Sequence, residues 1–271
     1  MQLYFVAILG LLFGSFLNVV IYRIPLNLSI VYPRSQCKVC GKKIRWFDLL
    51  PVLSWILLRG KCRYCRFFIG FRYPLVEILT SFLFVIGSIK LSAPFDFLSL
   101  IYSFIFICFL ICISFIDIDH LIIPDKILIP FWISGLLIHS FPFFEGLFYG
   151  LLLENLIKEI LGSSFVFLIL LSVVLAGKFF SKKPFLGMGD VKLLAVLFPW
   201  LGYTGIECVI ILSILISGLY SILGLITSYL KRGQYIPYAP FICISSLMVW
   251  FQGNEYFLQN FPNFFWWRFI F

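Results

Sequence analysis

Residues 97–125 read FLSLIYSFIFICFLICISFIDIDHLIIPD, twenty residues without a charge followed by three aspartates within nine positions. Twenty apolar residues cross the roughly 30 Å hydrocarbon core of a bilayer as a helix. No water is available there to bond backbone amides and carbonyls, so the segment must satisfy them within itself and be helical. The rest of the chain has the same character. Of its 271 residues 62% are hydrophobic and 12% charged, where a soluble domain carries about 25% charged residues. The alternating ten-residue segments of an outer-membrane barrel are absent. The fold class is therefore an all-α polytopic membrane protein.

Outward from that stretch, apolar runs predict about eight spans, at roughly 2–21, 74–91, 97–116, 122–140, 160–179, 191–204, 206–229 and 237–252. The first, MQLYFVAILGLLFGSFLNVVIY, has no basic residue before it and no small-residue cleavage site, so it reads as an uncleaved span with its amino end outside. This divides the chain into a first transmembrane helix (1–21), a cytoplasmic cysteine loop (22–73) and a transmembrane core (74–271). Residues 147–160 carry Glu154, Lys158 and Glu159, and read either as an amphipathic surface helix or as a long extension of the fifth span. The span from Val191 is short and contains Pro199. The closing FFWWRFIF has the composition of an interfacial anchor.

The net charge of +9 is unevenly spread. Eleven of the 21 Lys and Arg lie between Arg23 and Arg72, against the single acid Asp48. Loops after spans one, five and seven hold basic residues, including Lys178, Lys182, Lys183, Lys231 and Arg232, and the loop after span three is the Asp117–Asp125 turn on the same predicted side. The intervening loops, around Ser92 to Asp96, Phe141 to Gly146 and Gly202 to Gly205, hold no Lys or Arg. Positive loops stay in the cytoplasm, so topology accounts for the charge and a nucleic-acid partner is not expected.

Within the basic loop, Cys37, Cys40, Cys62 and Cys65 form two Cys-x2-Cys pairs separated by 21 residues. Such pairs place four thiolates tetrahedrally around one zinc ion, and Gly41 allows the turn after the first pair. A disulfide framework is disfavoured in the reducing cytoplasm. A closed four-thiolate site leaves no open coordination position, which makes the zinc structural. Cys108, Cys112, Cys208 and Cys243 fall in spans and read as apolar packers.

Acids at membrane depth are candidates for function, because burial costs several kcal/mol unless they are paired or hydrated. Asp117, Asp119 and Asp125 end the third span and start the fourth; Asp190 starts the sixth, on the same predicted face. Two carboxylates within a few ångströms share one proton and can hydrolyse a peptide bond, one as base and the other as acid. Gly187 and Gly189 would let backbone approach an extended substrate. Asp125 after Pro124 suits a helix start, Asp119 and His120 suit a solvated loop, and Asp117 with Asp190 also fit the ion pathway of a transporter.

Six stretches together resemble the bacterial type 4 prepilin leader peptidases, membrane aspartic proteases that are also N-methyltransferases. They are GSFLNVVIYRIP (14–25), the four cysteines with WFDLLPVLSWILLRGKCRYC (46–65), FRYPLVE (71–77), IDIDHLIIPD (116–125), GMGDVKLLA (187–195) and IPYAPF (236–241). The resemblance implies that Asp117 and Asp190 are catalytic and that the active site faces the cytoplasm from the bacterial inner membrane. It further implies prepilin or pseudopilin substrates in the bilayer, cut after a glycine behind a short basic leader, then methylated at the new amino end using S-adenosylmethionine. Glu77 has two readings, a local ion pair with Arg72 or a share in binding cofactor or substrate. Asn18 and Arg23 have a similar status, since a polar residue within the first span can simply bond to a neighbouring helix. Ser81 stands where the family commonly has glycine. Archaeal preflagellin peptidases usually lack the cysteine loop, and presenilin-like proteases carry a Pro-Ala-Leu string that is absent here.

Overall fold

A computed structural model describes residues 2–90, 97–140, 149–181, 186–231 and 234–253. The aromatic ending, the loops at 92–96 and 141–146, and Lys182, Lys183 and Arg232 lie outside these residues. The helices are α1 Gln2–Arg23, α2 Leu53–Leu57, α3 Arg72–Lys90, α4 Phe97–His120, α5 Asp125–Ser140, α6 Tyr149–Ser181, α7 Met188–Ile226 and α8 Ala239–Gln252, with a 3-10 turn at Trp46–Leu49. Five of them, α1, α3, α4, α6 and α7, are long and apolar enough to cross a membrane. The only β pairing among the described residues is two isolated bridges in the cysteine loop. The protein is a multi-pass, all-helical membrane protein.

Each predicted span is met by a helical segment, with differences at three places. The sixth and seventh spans are two arms of α7, broken at Gly202 (φ 68°, ψ −176°) rather than separated by a loop. Pro199, which has no amide to give its own turn, precedes that break. Residues 149–160 belong to α6, so the long-extension reading holds for them, and the Glu154–Lys158 pair at 2.7 Å decorates one continuous helix. Finally, α5 starts at Asp125, while the carbonyl of Pro124 accepts from the Ile127 and Leu128 amides. Proline thus sits at the cap position and not inside the first turn.

The chain divides into two compact units, residues 1–116 and 117–271. In the first, α1 and α3 run antiparallel at close range. A Cβ on Gly10 would come within 2.5 Å of the Ser81 Cα, and one on Gly14 within 2.6 Å of the Glu77 Cα. Gly10 and Gly14 are one turn apart, the small-xxx-small spacing that lets membrane helices approach where no hydrophobic effect drives them together. Polar side chains add to the contact: Asn18 Nδ2 donates to the Tyr73 carbonyl at 3.0 Å, and Ser81 Oγ to the Ala7 carbonyl at 2.8 Å. Serine at 81 therefore bonds across the interface. Arg23 closes α1 with its guanidinium on the Ser29 and Pro33 carbonyls, at 2.8 and 2.6 Å.

In the second unit α5, α6 and α8 pack on α7. Trp200 donates to the Phe131 carbonyl at 3.2 Å, and a Cβ on Gly135 would come within 2.5 Å of its indole nitrogen. Gly162 of α6 receives the Phe198 ring with no room for a side chain. Ser213 of α7 shares a 2.8 Å hydrogen bond with the hydroxyl of Tyr238, which caps α8. The last of these contacts ties the amino end of α8 to the second arm of α7.

Candidate functional site

Asp117 lies in the last turn of α4 and is 6% exposed. The helix stops just beyond it because Leu121 takes a left-handed conformation (φ 54°), closing the turn with its amide on the Asp117 carbonyl at 2.9 Å. Neither the backbone nor the side chain of Asp117 is idle: its Oδ2 accepts the Ala239 amide at 3.0 Å. Ala239 is the first residue of α8, and Pro240 behind it has no amide, so Ala239 N–H is a donor that the helix itself does not use.

Asp190 is the third residue of α7, whose cap is Gly187 in an extended conformation. Its carboxylate reaches back to the Gly187 amide, the return half of a capping box. The glycines have local reasons to be glycine. A Cβ on Gly187 would stand 2.8 Å from Asp190 Oδ2, and one on Gly189 would press the Ile123 side chain at 3.3 Å. The Asp117 and Asp190 carboxylates are near enough to interact electrostatically. Each stands at the positive amino end of a helix, Asp117 facing α8 and Asp190 inside α7, and those partial charges offset the repulsion of two neighbouring acids. The Tyr238 hydroxyl, bonded to Ser213, also lies within electrostatic range of Asp190.

The other acids of the segment stand apart. Asp119 and His120 are exposed on the final turn of α4. Asp125 opens α5 and pairs with Lys192 at 2.8 Å, both partly in solvent. That pair borders a cavity of about 460 Å³ between α5, α6 and α7, lined also by Trp132, Ser163 and Phe167. Lys192 is two residues from Asp190 and so points to roughly the opposite side of α7, which separates this cavity from the acid pair.

In the first unit, the sulfurs of Cys37, Cys40, Cys62 and Cys65 all lie within 4.8 Å of one another. Cys37 and Cys65 are 3.7 Å apart, too far for a disulfide and close to the ~3.8 Å edge of a tetrahedron with 2.3 Å metal–sulfur bonds. The two pairs are built alike. In each, the amide four residues after the first cysteine bonds back to its carbonyl, Gly41 to Cys37 at 2.9 Å and Arg66 to Cys62 at 3.0 Å, and both residues are left-handed. One bridge closes each turn, Gln36 with Lys43 and Lys61 with Phe68. The Cys40 amide draws the Cys37 thiol down to about 6, despite partial desolvation. Cys65, with the Phe67 amide in its favour, is nevertheless pushed up to about 11 by desolvation and by the neighbouring thiols. Four thiolates this close need a cation among them, and the set fits a tetrahedral metal ion. Around them, Arg63 forks onto Asp48 and holds its carboxyl below the usual range.

Glu77 is buried on α3 with Oε2 accepting the Val52 amide at 2.7 Å. Val52 has a left-handed backbone (φ 59°), uncommon for a β-branched residue, and this bond helps hold it there. Neither this contact nor the Ala239 amide was foreseeable from motif spacing. The proline after Ala239, which marks a helix start, is the one sequence sign of the latter.

Comparison with known proteins bears on both units. Residues 8–91 match the bacterial peptidase A24 N-terminal domain, and residues 104–222 match the type IV leader peptidase family. Similar proteins include one from Dichelobacter nodosus, 32% identical over 93% of this chain and 92% of its own length. One from Aeromonas hydrophila is 31% identical over 96% and 95%, and one from Bacillus subtilis 32% identical over 92% and 93%. All three carry the name prepilin leader peptidase/N-methyltransferase. No solved structure matches the chain.

Proposed function

The chain belongs to the type IV leader peptidase family, and from that premise we propose that Asp117 and Asp190 are the acid pair with which it cuts prepilins. It is a prepilin peptidase with N-methyltransferase activity, as its relatives are named. The observation that carries the assignment of residues is the convergence of two carboxylates, from α4 and α7, at two helix amino ends. A single proton shared between them relieves their repulsion and leaves one charged and one neutral member.

That state suits amide hydrolysis. The charged carboxylate takes a proton from water as the water oxygen bonds to the scissile carbonyl carbon. The neutral carboxyl gives its proton to the carbonyl oxygen. When the tetrahedral intermediate collapses, the C–N bond breaks, the first carboxyl passes its proton to the leaving nitrogen, and the second recovers one from the intermediate's hydroxyl. The enzyme ends as it began. The fixed Ala239 and Gly187 amides keep both carboxylates oriented through the cycle.

The substrates are prepilins or pseudopilins, cut after a glycine between a short basic leader and an apolar helix. Loop charge supports an active site on the cytoplasmic face of the inner membrane, where the leader remains while the apolar helix arrives by lateral diffusion. The four cysteines hold one structural zinc, with no role in the chemical step. Gly187 and Gly189 flank the substrate's approach, and Glu77, which accepts from the Val52 amide and the Ser15 hydroxyl, is the residue we offer for the methyl donor, S-adenosylmethionine. Membranes containing the protein, incubated with a prepilin and S-adenosylmethionine, should yield a shortened product whose new amino end is heavier by one methyl group. An unshortened prepilin would refute the peptidase reading, and a shortened but unmethylated one the methyl transfer.

A further inference from the structure

Residues 49–58, LLPVLSWILL, form a ten-residue run without a charge, set between Asp48 and Arg59. A run of that length is too short to span a bilayer and ordinarily belongs to a buried core or to an interfacial segment. Burial does not account for it. Leu53, Ile56 and Leu57 of α2 are 60%, 58% and 80% exposed, and their i, i+3, i+4 spacing puts them on one face. Leu49 and Leu50 extend that exposed surface. Trp55 instead ties the segment to the loop: its indole nitrogen donates to the Ile69 carbonyl at 3.0 Å and its ring meets Phe71 edge-on at 5.8 Å.

The depth of this surface follows from α1 and α3. Val52, which starts α2, gives its amide to Glu77 in the second turn of α3. Glu77 lies against Gly14 of α1, nine residues before Arg23, which is the first charged side chain of α1. Nine helical residues are about 13 Å. The Glu77 side chain leans back toward the start of α3, so Val52 sits on the bilayer side of the charged end of α1. Interfacial helices bury their apolar face about 5–10 Å into the boundary between headgroups and acyl chains. The same loop carries the exposed cations Arg45, Arg59, Lys61, Arg63 and Arg66, with Asp48 as its one acid and that acid bound to Arg63.

We propose that α2 and its flanking leucines are an interfacial anchor that inserts into an anionic lipid surface and lays the cysteine loop against the membrane. The inserted face supplies the apolar contact and the cations engage headgroup phosphates, the two ingredients that peripheral amphipathic segments combine. The proposal uses only α1, the loop and α3, and stands apart from the assignment of the acid pair.

The test uses the full-length protein in bilayer discs, with a benzophenone amino acid in place of Leu57 or, as a control, of Val39. Val39 is also well exposed, at 60%, but sits in the first cysteine turn, whose Lys38 amine lies 3.4 Å over the Tyr22 ring beside Arg23, at the charged end of α1. After illumination, mass spectrometry should find acyl-chain adducts at position 57 in about tenfold excess over position 39. Replacing phosphatidylglycerol with phosphatidylcholine should lower the yield at 57 several-fold. Equal lipid labelling at both positions, or labelling of protein alone at 57, would overturn the anchor; equal yields in the two lipids would overturn the part given to the cations.

Discussion

Replacing Gly187 by alanine perturbs the acid pair through a single methyl group. The added Cβ would stand 2.8 Å from Asp190 Oδ2, where ordinary contact begins at 3.4 Å, so the carboxylate must retreat by about 0.6 Å. Retreat also stretches its bond to the Gly187 amide. A misplacement of about 1 Å in a catalytic group costs on the order of 100-fold in rate, so kcat/KM for prepilin cleavage should fall between about 10- and 100-fold. Gly187 has φ −70°, so alanine meets no backbone penalty there and the helix should keep its fold, losing only the small preference of a cap for glycine. Gly189→Ala supplies the internal comparison. Its Cβ would press an Ile123 side chain at 3.3 Å, a contact that yields by a few tenths of an ångström, and the loss should be no more than a few-fold. The assay is initial-rate cleavage of a prepilin in detergent or bilayers, with melting temperature recorded for each variant. Undiminished cleavage by Gly187→Ala, or a greater loss at Gly189 than at Gly187, would refute the reasoning.

Other outcomes follow from the packing and the cysteine loop. Purified wild-type protein should carry about one zinc per chain, and Cys37→Ser and Cys62→Ser should each remove it, as read by metal analysis. Gly162→Leu would drive a side chain into the Phe198 ring and should cost about 1–3 kcal/mol or more, seen as a lowered melting temperature. Asp48 is held low by Arg63, so its contribution to loop stability is fully present above the carboxyl's unfolded value and disappears as pH falls through its folded one. The difference in tryptic protection of the loop between wild type and Asp48→Asn should therefore be seen near neutral pH and vanish in acid.

Much of the fold was legible because membrane helices must be uninterrupted apolar runs, and eight such runs stand out. What was harder to read depends on contacts distant in sequence. The one-residue break at Gly202 looked like a loop, since periodicity does not distinguish a kinked helix from two helices with a short connection. Gly10 and Gly14 carried the small-residue spacing of a helix interface but gave no partner until Ser81 and Glu77 were seen against them. The cysteine cluster was readable from spacing alone, because two short pairs constrain four sulfurs strongly. Spacing alone left the partner of Asp190 open among Asp117, Asp119 and Asp125, and it was the family resemblance that pointed to Asp117. Which one meets Asp190 depends on how α4 ends at Leu121 and on the Ala239 amide, 122 residues further along the chain. Likewise Asp125, expected to serve its own helix start, also pairs with Lys192.

The most direct measurement of the central claim is prepilin cleavage by purified Asp117→Asn and Asp190→Asn proteins that retain wild-type melting temperature and metal content. Each variant keeps the size of the side chain and removes the carboxylate, so the account predicts that neither releases shortened product. Full cleavage by either one would contradict the assignment of Asp117 and Asp190 as the catalytic pair.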